Sequence, residues 1–327
     1  MEKLTGVTSI SKPSSTIQSE SIGVTPAKEH GRLWIVLALL ALYLIWGSTY
    51  FFIRIAIISI PPFLMTGVRM LVAGSILYVI LRLRGQPAPT RAEWGGSARM
   101  GLFLIGGGMG GVAFAEQWVA SSVTATCIAT TPLWISLFSG LWGRWPVRAE
   151  WLGLVVGFSG VVLLNVGSGL WASPLGAVVL IFSPMCWAFG SAWSQRLILP
   201  KGLMASAAEM LFGGTLLLLV GLLVGERPSG HVTQSSLFAF VYLILVGSLI
   251  AYTAYIYVLR RVRPTLATSY AYINPLVAVC LGVFFAGDHI TPLGVVGMVV
   301  ILTGVVLVSL ARERKTKDTP KNIDYQQ

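Results

Sequence analysis

The sequence predicts an all-α membrane protein of ten transmembrane helices arranged as two inverted five-helix repeats. Three observations predict it: the composition, the recurrence of long apolar runs, and a near-constant offset between similar segments. Of 327 residues, 55% are hydrophobic and only 11% are charged, whereas a soluble domain carries about 25% charged residues. Mean hydropathy is +0.79. Runs of about 20 apolar residues, enough to cross a bilayer at about 1.5 Å per residue, recur along nearly the whole chain. The 36 glycines suit this class, because transmembrane helices pack closely through small residues.

The apolar runs place spans at 33–53, 62–83, 100–119, 122–142 and 150–168, then at 175–195, 204–225, 237–260, 266–287 and 292–311. Residues 1–32 are polar and rich in Ser and Thr, without the apolar centre of a signal peptide, and read as a disordered cytoplasmic tail. The chain therefore divides into that tail, a first repeat over 33–168, a second over 175–311 and a basic cytoplasmic tail over 312–327.

Orientation follows from the basic residues. With the N-terminus inside, cytoplasmic segments hold 20 of the 23 Lys and Arg residues, external loops keep Arg54 and Arg227, and Arg69 lies within a span. An odd span count or reversed topology destroys this asymmetry, so both termini are expected in the cytoplasm. The same distribution argues against a nucleic-acid partner for a chain of net charge +11, since no basic stripe is interleaved with exposed aromatics.

The repeat is visible in three segment pairs. Gly67 to Gly74 aligns with Ala207 to Gly214, Thr131-Pro132-Leu133 with Asn274-Pro275-Leu276, and Gly160 to Leu163 with Gly304 to Leu307, at offsets of 140, 143 and 144. Five helices per copy, an odd number, turn the second copy over in the membrane.

Several chemistries are poorly supported. Gly106 to Gly111 matches the dinucleotide fingerprint by letter, yet it lies inside an apolar run with no preceding strand, and it reads as close packing or a pliant segment. There is no Walker A pattern. Cys127, Cys186 and Cys280 sit in apolar runs without CxxC spacing, and His30, His231 and His289 lie in tails or loops. No metal site, cofactor or catalytic residue is expected, and an intramembrane enzyme is the weak reading of another class.

Charges in apolar helices cost roughly 2.5 to 3.5 kcal/mol at the span centre and so mark candidate functional positions. Arg69, Glu116 and Glu209 are the clear cases, with Arg69 and Glu209 as repeat mates. Glu116 and Glu209 are candidates to carry a proton. Arg69 is available to pair with Glu116, so Glu209 ranks first; uncoupled facilitation and a structural hydrogen bond are the competing readings.

A substrate site needs polar and aromatic groups at mid-span. Tyr43, Gly47, Tyr50 and Arg54 share a face of the first span, beside Trp46 and Ser48, and the repeat counterpart holds Trp187, Gly190, Ser191 and Arg196. Ser248, Tyr252 and Tyr255 share a face of the eighth span, and Tyr270 and Asn274 one of the ninth. Trp46, Ser48, Tyr50, Trp187, Ser191, Tyr252, Tyr270 and Asn274 are the candidates to line a cavity; interhelical hydrogen-bond packing is the alternative. Pro132, Pro184 and Pro275 are expected kinks, each freeing the carbonyl four residues earlier, at Ile128, Leu180 and Ala271.

The run Trp46-Gly-Ser-Thr-Tyr50 with its following Phe51-Phe52-Ile53-Arg54, the segment Gly67 to Gly74, Ala115-Glu116-Gln117-Trp118, Trp187 to Arg196 and Thr268 to Gly282 resemble the EamA family of the drug/metabolite transporter superfamily, from about residue 33 to 311. The chain looks most similar to bacterial inner-membrane members of unassigned or amino-acid-export type. The resemblance implies a central cavity lined by helices one, three, four, six, eight and nine, and outward movement of a small-molecule substrate across the lipid bilayer. Amino acids or their derivatives lead as substrate class, with drug-like cations next. It implies no particular oligomeric state.

Overall fold

The computed structural model describes residues 27–143, 145–168, 173–228, 230–259, 270–285, 287 and 291–318. The described residues are helical, joined by short turns and loops. Helix α1 runs through Ala27–Ala41, a π turn at Leu42–Trp46 and Gly47–Ala56. Helix α2 is Pro62–Leu83, and α3 passes from Arg91–Met100 through a π stretch at Gly101–Gly110 to Gly111–Ala115. Helix α4 is broken between Ser121–Ile128 and Thr131–Ser139, and α5 is Arg148–Ser168. Then follow α6 (Pro174–Ser194), α7 (Leu203–Leu223), and α8 (Gln234–Tyr242, a π stretch Leu243–Ile250, and Ala251–Leu259). Helices α9 (Tyr270–Phe285) and α10 (Pro292–Asp318) come last among the described residues.

Seven of these helices are long and apolar enough to cross a membrane, and α9 and α10 carry shorter apolar stretches at Ile273–Phe285 and Pro292–Val308. Their outer faces are greasy. Leu33, Leu37, Leu40 and Leu44 form an exposed stripe on α1, and Val295, Val299, Val306 and Leu310 do so on α10. In water such continuous apolar surface is unfavourable; against lipid tails it is matched.

Helix limits have local causes. Thr90 and Glu93 form a reciprocal capping box at the start of α3, Ser173 caps α6, Thr233 caps α8 and Thr291 caps α10. Helices α2 and α7 stop in the same way: Gly85 (φ 79°) and Gly225 (φ 79°) adopt the left-handed conformation that only glycine takes cheaply, and the next amide, of Gln86 or Glu226, returns to Leu81 O or Gly221 O.

Some boundaries differ from those read in the sequence. Helix α3 starts at Arg91 rather than 100, because its first turns are polar but capped. Helix α1 starts at Ala27, inside the expected tail, and α10 continues to Asp318, past 311. The expected start of the ninth span, 266–269, lies outside the described residues, as do residues 1–26 of the first tail and 319–327 of the last.

Two helix pairs hold the bundle together, α5 along α10 and α2 along α7. Both are glycine seams. A Cβ on Gly160 would sit 2.6 Å from Ile301 N, and one on Gly153 2.8 Å from Val308 N. In the other seam a Cβ on Gly67 would sit 2.7 Å from Leu218 N, and one on Gly214 2.8 Å from Leu71 N. Such backbone approach excludes any larger residue. The contacts are also reciprocal: Gly153 meets Gly304 O while Gly160 meets Gly297 O, and Gly67 meets Gly214 O while Gly74 meets Ala207 O.

Candidate substrate cavity

Between these seams lies a cavity with about 870 Å³ of empty space, counting the space at its mouth. Its wall comes from α1 (Trp46, Thr49, Tyr50, Ile53), α3 (Gly108, Met109, Val112), both halves of α4, α6 (Ser183, Trp187) and α9 (Tyr270, Asn274, Pro275), with Arg69 reaching in from α2.

Each aromatic wall residue is positioned by packing. Trp46 is the hub: its ring meets Tyr270 edge-on at 5.0 Å, Trp187 at 6.2 Å with planes at 90°, and Tyr255 at 5.1 Å. Trp187 can approach because α3 is bare at Gly108, where a Cβ would lie 2.9 Å from the indole. Gly107 plays the same part for Cys186, at 2.7 Å. The glycine stretch is thus a close-packing surface for α6, set in a π segment that widens the helix locally.

Polar tethers fix the wall further. The Asn274 side-chain amide donates to Tyr270 O (3.2 Å) and to Tyr43 O (3.3 Å), joining α9 to the π turn of α1. Thr49 Oγ1 donates to Trp46 O at 2.6 Å, and Ser121 Oγ on α4 donates to Tyr50 O at 3.1 Å. Pro132 breaks α4, and the carbonyl it frees, Ile128 O, accepts from Thr131 Oγ1 at 2.6 Å, so the break stays hydrogen-bonded beside the cavity. Pro184 and Pro275 sit inside helices that continue past them.

The buried charges have separate settings. Arg69 is 1% exposed, lies in the cavity wall, and donates from Nε to Ser248 Oγ at 2.7 Å. Glu209, 5% exposed, accepts from the Tyr252 hydroxyl at 2.9 Å. Ser248 and Tyr252 are one turn apart on α8, so this helix holds both repeat mates. Glu116 is buried at the end of α3. Neither glutamate is in the wall.

Of the eight residues singled out in the sequence, Trp46, Tyr50, Trp187, Tyr270 and Asn274 come together around the cavity. Ser48, Ser191 and Tyr252 do not. Ser48 Oγ is bonded to Ile45 O and the Tyr242 hydroxyl, each at 2.8 Å, and Tyr252 stands behind Trp46 on Glu209. The carbonyl of Ser191 accepts from Ser194 Oγ at 2.7 Å, on α6 beyond the cavity's edge. The expected helix set needs one exchange: α8 supplies no wall residue and α2 supplies Arg69. Met109, Val112, Ala125, Ile128, Ala129 and Ile135 were not readable as site residues, because an apolar cavity wall has the composition of a core. Thr131 carried a usable signal, its place beside Pro132.

An apolar, aromatic cavity enclosed by membrane-length helices is the architecture of a small-solute carrier. The EamA-like transporter family model matches residues 33–166 and again 174–310. The chain belongs to this family. It is 44% identical over 276 residues to a protein of Escherichia coli K12 called an uncharacterized inner membrane transporter, YedA, covering 84% of this chain and 90% of that protein. It is 27% identical to Protein PecM of Dickeya dadantii, over 84% of this chain and 93% of the other. A solved crystal structure at 20% identity matches with a TM-score of 0.60, covering 86% of this chain and 99% of that one, and shares the fold.

Proposed function

We propose that the protein is a secondary transporter or facilitator that exports small metabolites, amino acids or their derivatives foremost, across the cytoplasmic membrane. The carrying observation is the cavity, whose wall draws on both halves of the chain and contains aromatic faces, a broken helix and a single charged side chain, Arg69, among the described residues. Drug-like cations fit this wall less well, because the guanidinium repels them.

The architecture proposed is ten spans in two inverted repeats with both termini cytoplasmic. Its support is the double family match, the equal helix stops at Gly85 and Gly225, and the reciprocal glycine contacts, in which exchanging each residue for its repeat mate reproduces the contact. The concentration of Lys and Arg in the proposed inner segments supports the orientation. The inner-membrane assignment draws on the name of the Escherichia coli relative.

Purified full-length protein in liposomes, screened against labelled amino acids and other metabolites, tests the reading. Saturable flux of a solute recovered unchanged is the expected result. Absence of saturable flux, together with chemical turnover of a tested compound, would favour an intramembrane enzyme.

A further inference from the structure

Two buried side chains of the cavity wall carry donors that the protein leaves uncommitted. Ser248 Oγ donates to Leu243 O at 3.0 Å, so its lone pairs are free to receive Arg69 Nε. That bond fixes the guanidinium by one edge. Among the described residues its one hydrogen bond is through Nε, which leaves the two terminal amino groups uncommitted in a side chain that lines the wall and is 1% exposed. On α1, the indole Nε1–H of Trp46, 8% exposed and also in the wall, is likewise without an acceptor. Buried donors left unmatched cost free energy, more so when charged, and an incoming acceptor group relieves that cost.

We propose that Arg69 is the anion anchor of the cavity, taking a carboxylate of the solute on its two terminal amino groups while Ser248 holds it in register and the apolar body lies against Trp46 and Trp187. The inference rests on the cavity being the substrate site and adds the group by which the solute is recognised. A carboxylate fits better than a phosphate. One guanidinium offers a planar pair of donors and one positive charge, matching a monoanion with two oxygens, and no second cation lines the wall among the described residues to neutralise a dianion. Among the described residues the wall holds no carboxylate for the amino group of an amino acid, so the anchor serves carboxylic acids with or without one.

The test uses purified full-length protein in detergent and direct calorimetric binding of 3-phenylpropionate, 3-phenylpropionamide and phenethylamine. These share one body and differ in the polar group. The acid is expected to bind at least about 10-fold tighter than the amide, the scale of a charge-assisted bond lost from a buried site, with the amine weakest. Arg69→Met should bring the acid-to-amide ratio to about one, Arg69→Lys should restore part of it, and Ser248→Ala should reduce it while leaving the guanidinium in place. Equal binding of acid and amide by the unmodified protein, or binding of neither at millimolar concentration, overturns the proposal. So does an Arg69→Met protein that keeps the ratio. Because the assay involves no flux, acid-selective binding by a protein without transport in liposomes would sink the transporter reading and leave the anchor standing.

Discussion

Tyr252 and Glu209 form a buried pair behind the cavity, and their geometry bears on what Glu209 does. The carboxylate accepts the tyrosine hydroxyl at 2.9 Å and does not reach the solute space. A structural hydrogen bond is therefore the role this setting supports over the proton carrier considered from the sequence. Glu209→Gln keeps an acceptor for Tyr252 and should leave transport, and its response to an imposed proton gradient, as in the wild type. Glu209→Ala strands the hydroxyl and should lower stability by about 1–3 kcal/mol in thermal unfolding in detergent. Loss of gradient response in Glu209→Gln at equal abundance would reinstate the carrier. The five site residues readable in the sequence were those whose type, aromatic or amide at mid-span, is unusual for a lipid face. On α1 the wall takes Trp46, Thr49, Tyr50 and Ile53, a face that shares only Tyr50 with the set Tyr43, Gly47, Tyr50 and Arg54. The π turn at Leu42–Trp46 breaks the 3.6-residue count between Tyr43 and Gly47 but leaves Gly47, Tyr50 and Arg54 on one face of the regular segment. Gly47 instead packs on Val277 of α9, where a Cβ would lie 2.6 Å away.

At the scale of elements, the glycine seams separate positions that tolerate a side chain from those that do not. Gly160→Ala on α5 places a methyl group 2.6 Å from the backbone nitrogen of Ile301, which cannot yield as a flexible side chain would. Gly95 on α3 has nothing within 4 Å of the same added atom. Gly160→Ala should thus lower the melting temperature of the purified protein, whereas Gly95→Ala should leave it unchanged or raise it, since the added helix propensity contributes about 0.5–1 kcal/mol of stability. Equal behaviour of the two variants would contradict the packing described for α5 and α10. The seam glycines stand in the segments that reveal the repeat, Gly67 to Gly74 and Gly160 to Leu163 with their mates, and most helix positions are legible as apolar runs. The start of α3 was not, because Arg91–Met100 is polar and its signal is the Thr90–Glu93 capping box rather than hydropathy.

For the whole molecule, the proposed inverted arrangement makes a claim about sides. A cysteine introduced at position 87, in the loop after α2, should resist membrane-impermeant thiol reagents in intact cells, and one at position 230, before α8, should react. Strong external labelling at 87 would reverse the proposed orientation. The offset was readable from three short segments because the two family-matched halves keep similar packing residues there, while the cavity volume was not, since it depends on how far the wall helices stand apart. The account turns on a solute being bound in that cavity and carried. The direct measurement is the initial rate of counterflow into proteoliposomes, against concentration of the solute identified by the metabolite screen, for the wild type and for Trp46→Ala at matched protein incorporation. Saturable wild-type flux with a half-saturation concentration several-fold higher in Trp46→Ala is the predicted result, because the variant removes the hub against which Tyr270 and Trp187 pack. Linear, unsaturable flux, or identical half-saturation in the two proteins, would contradict it.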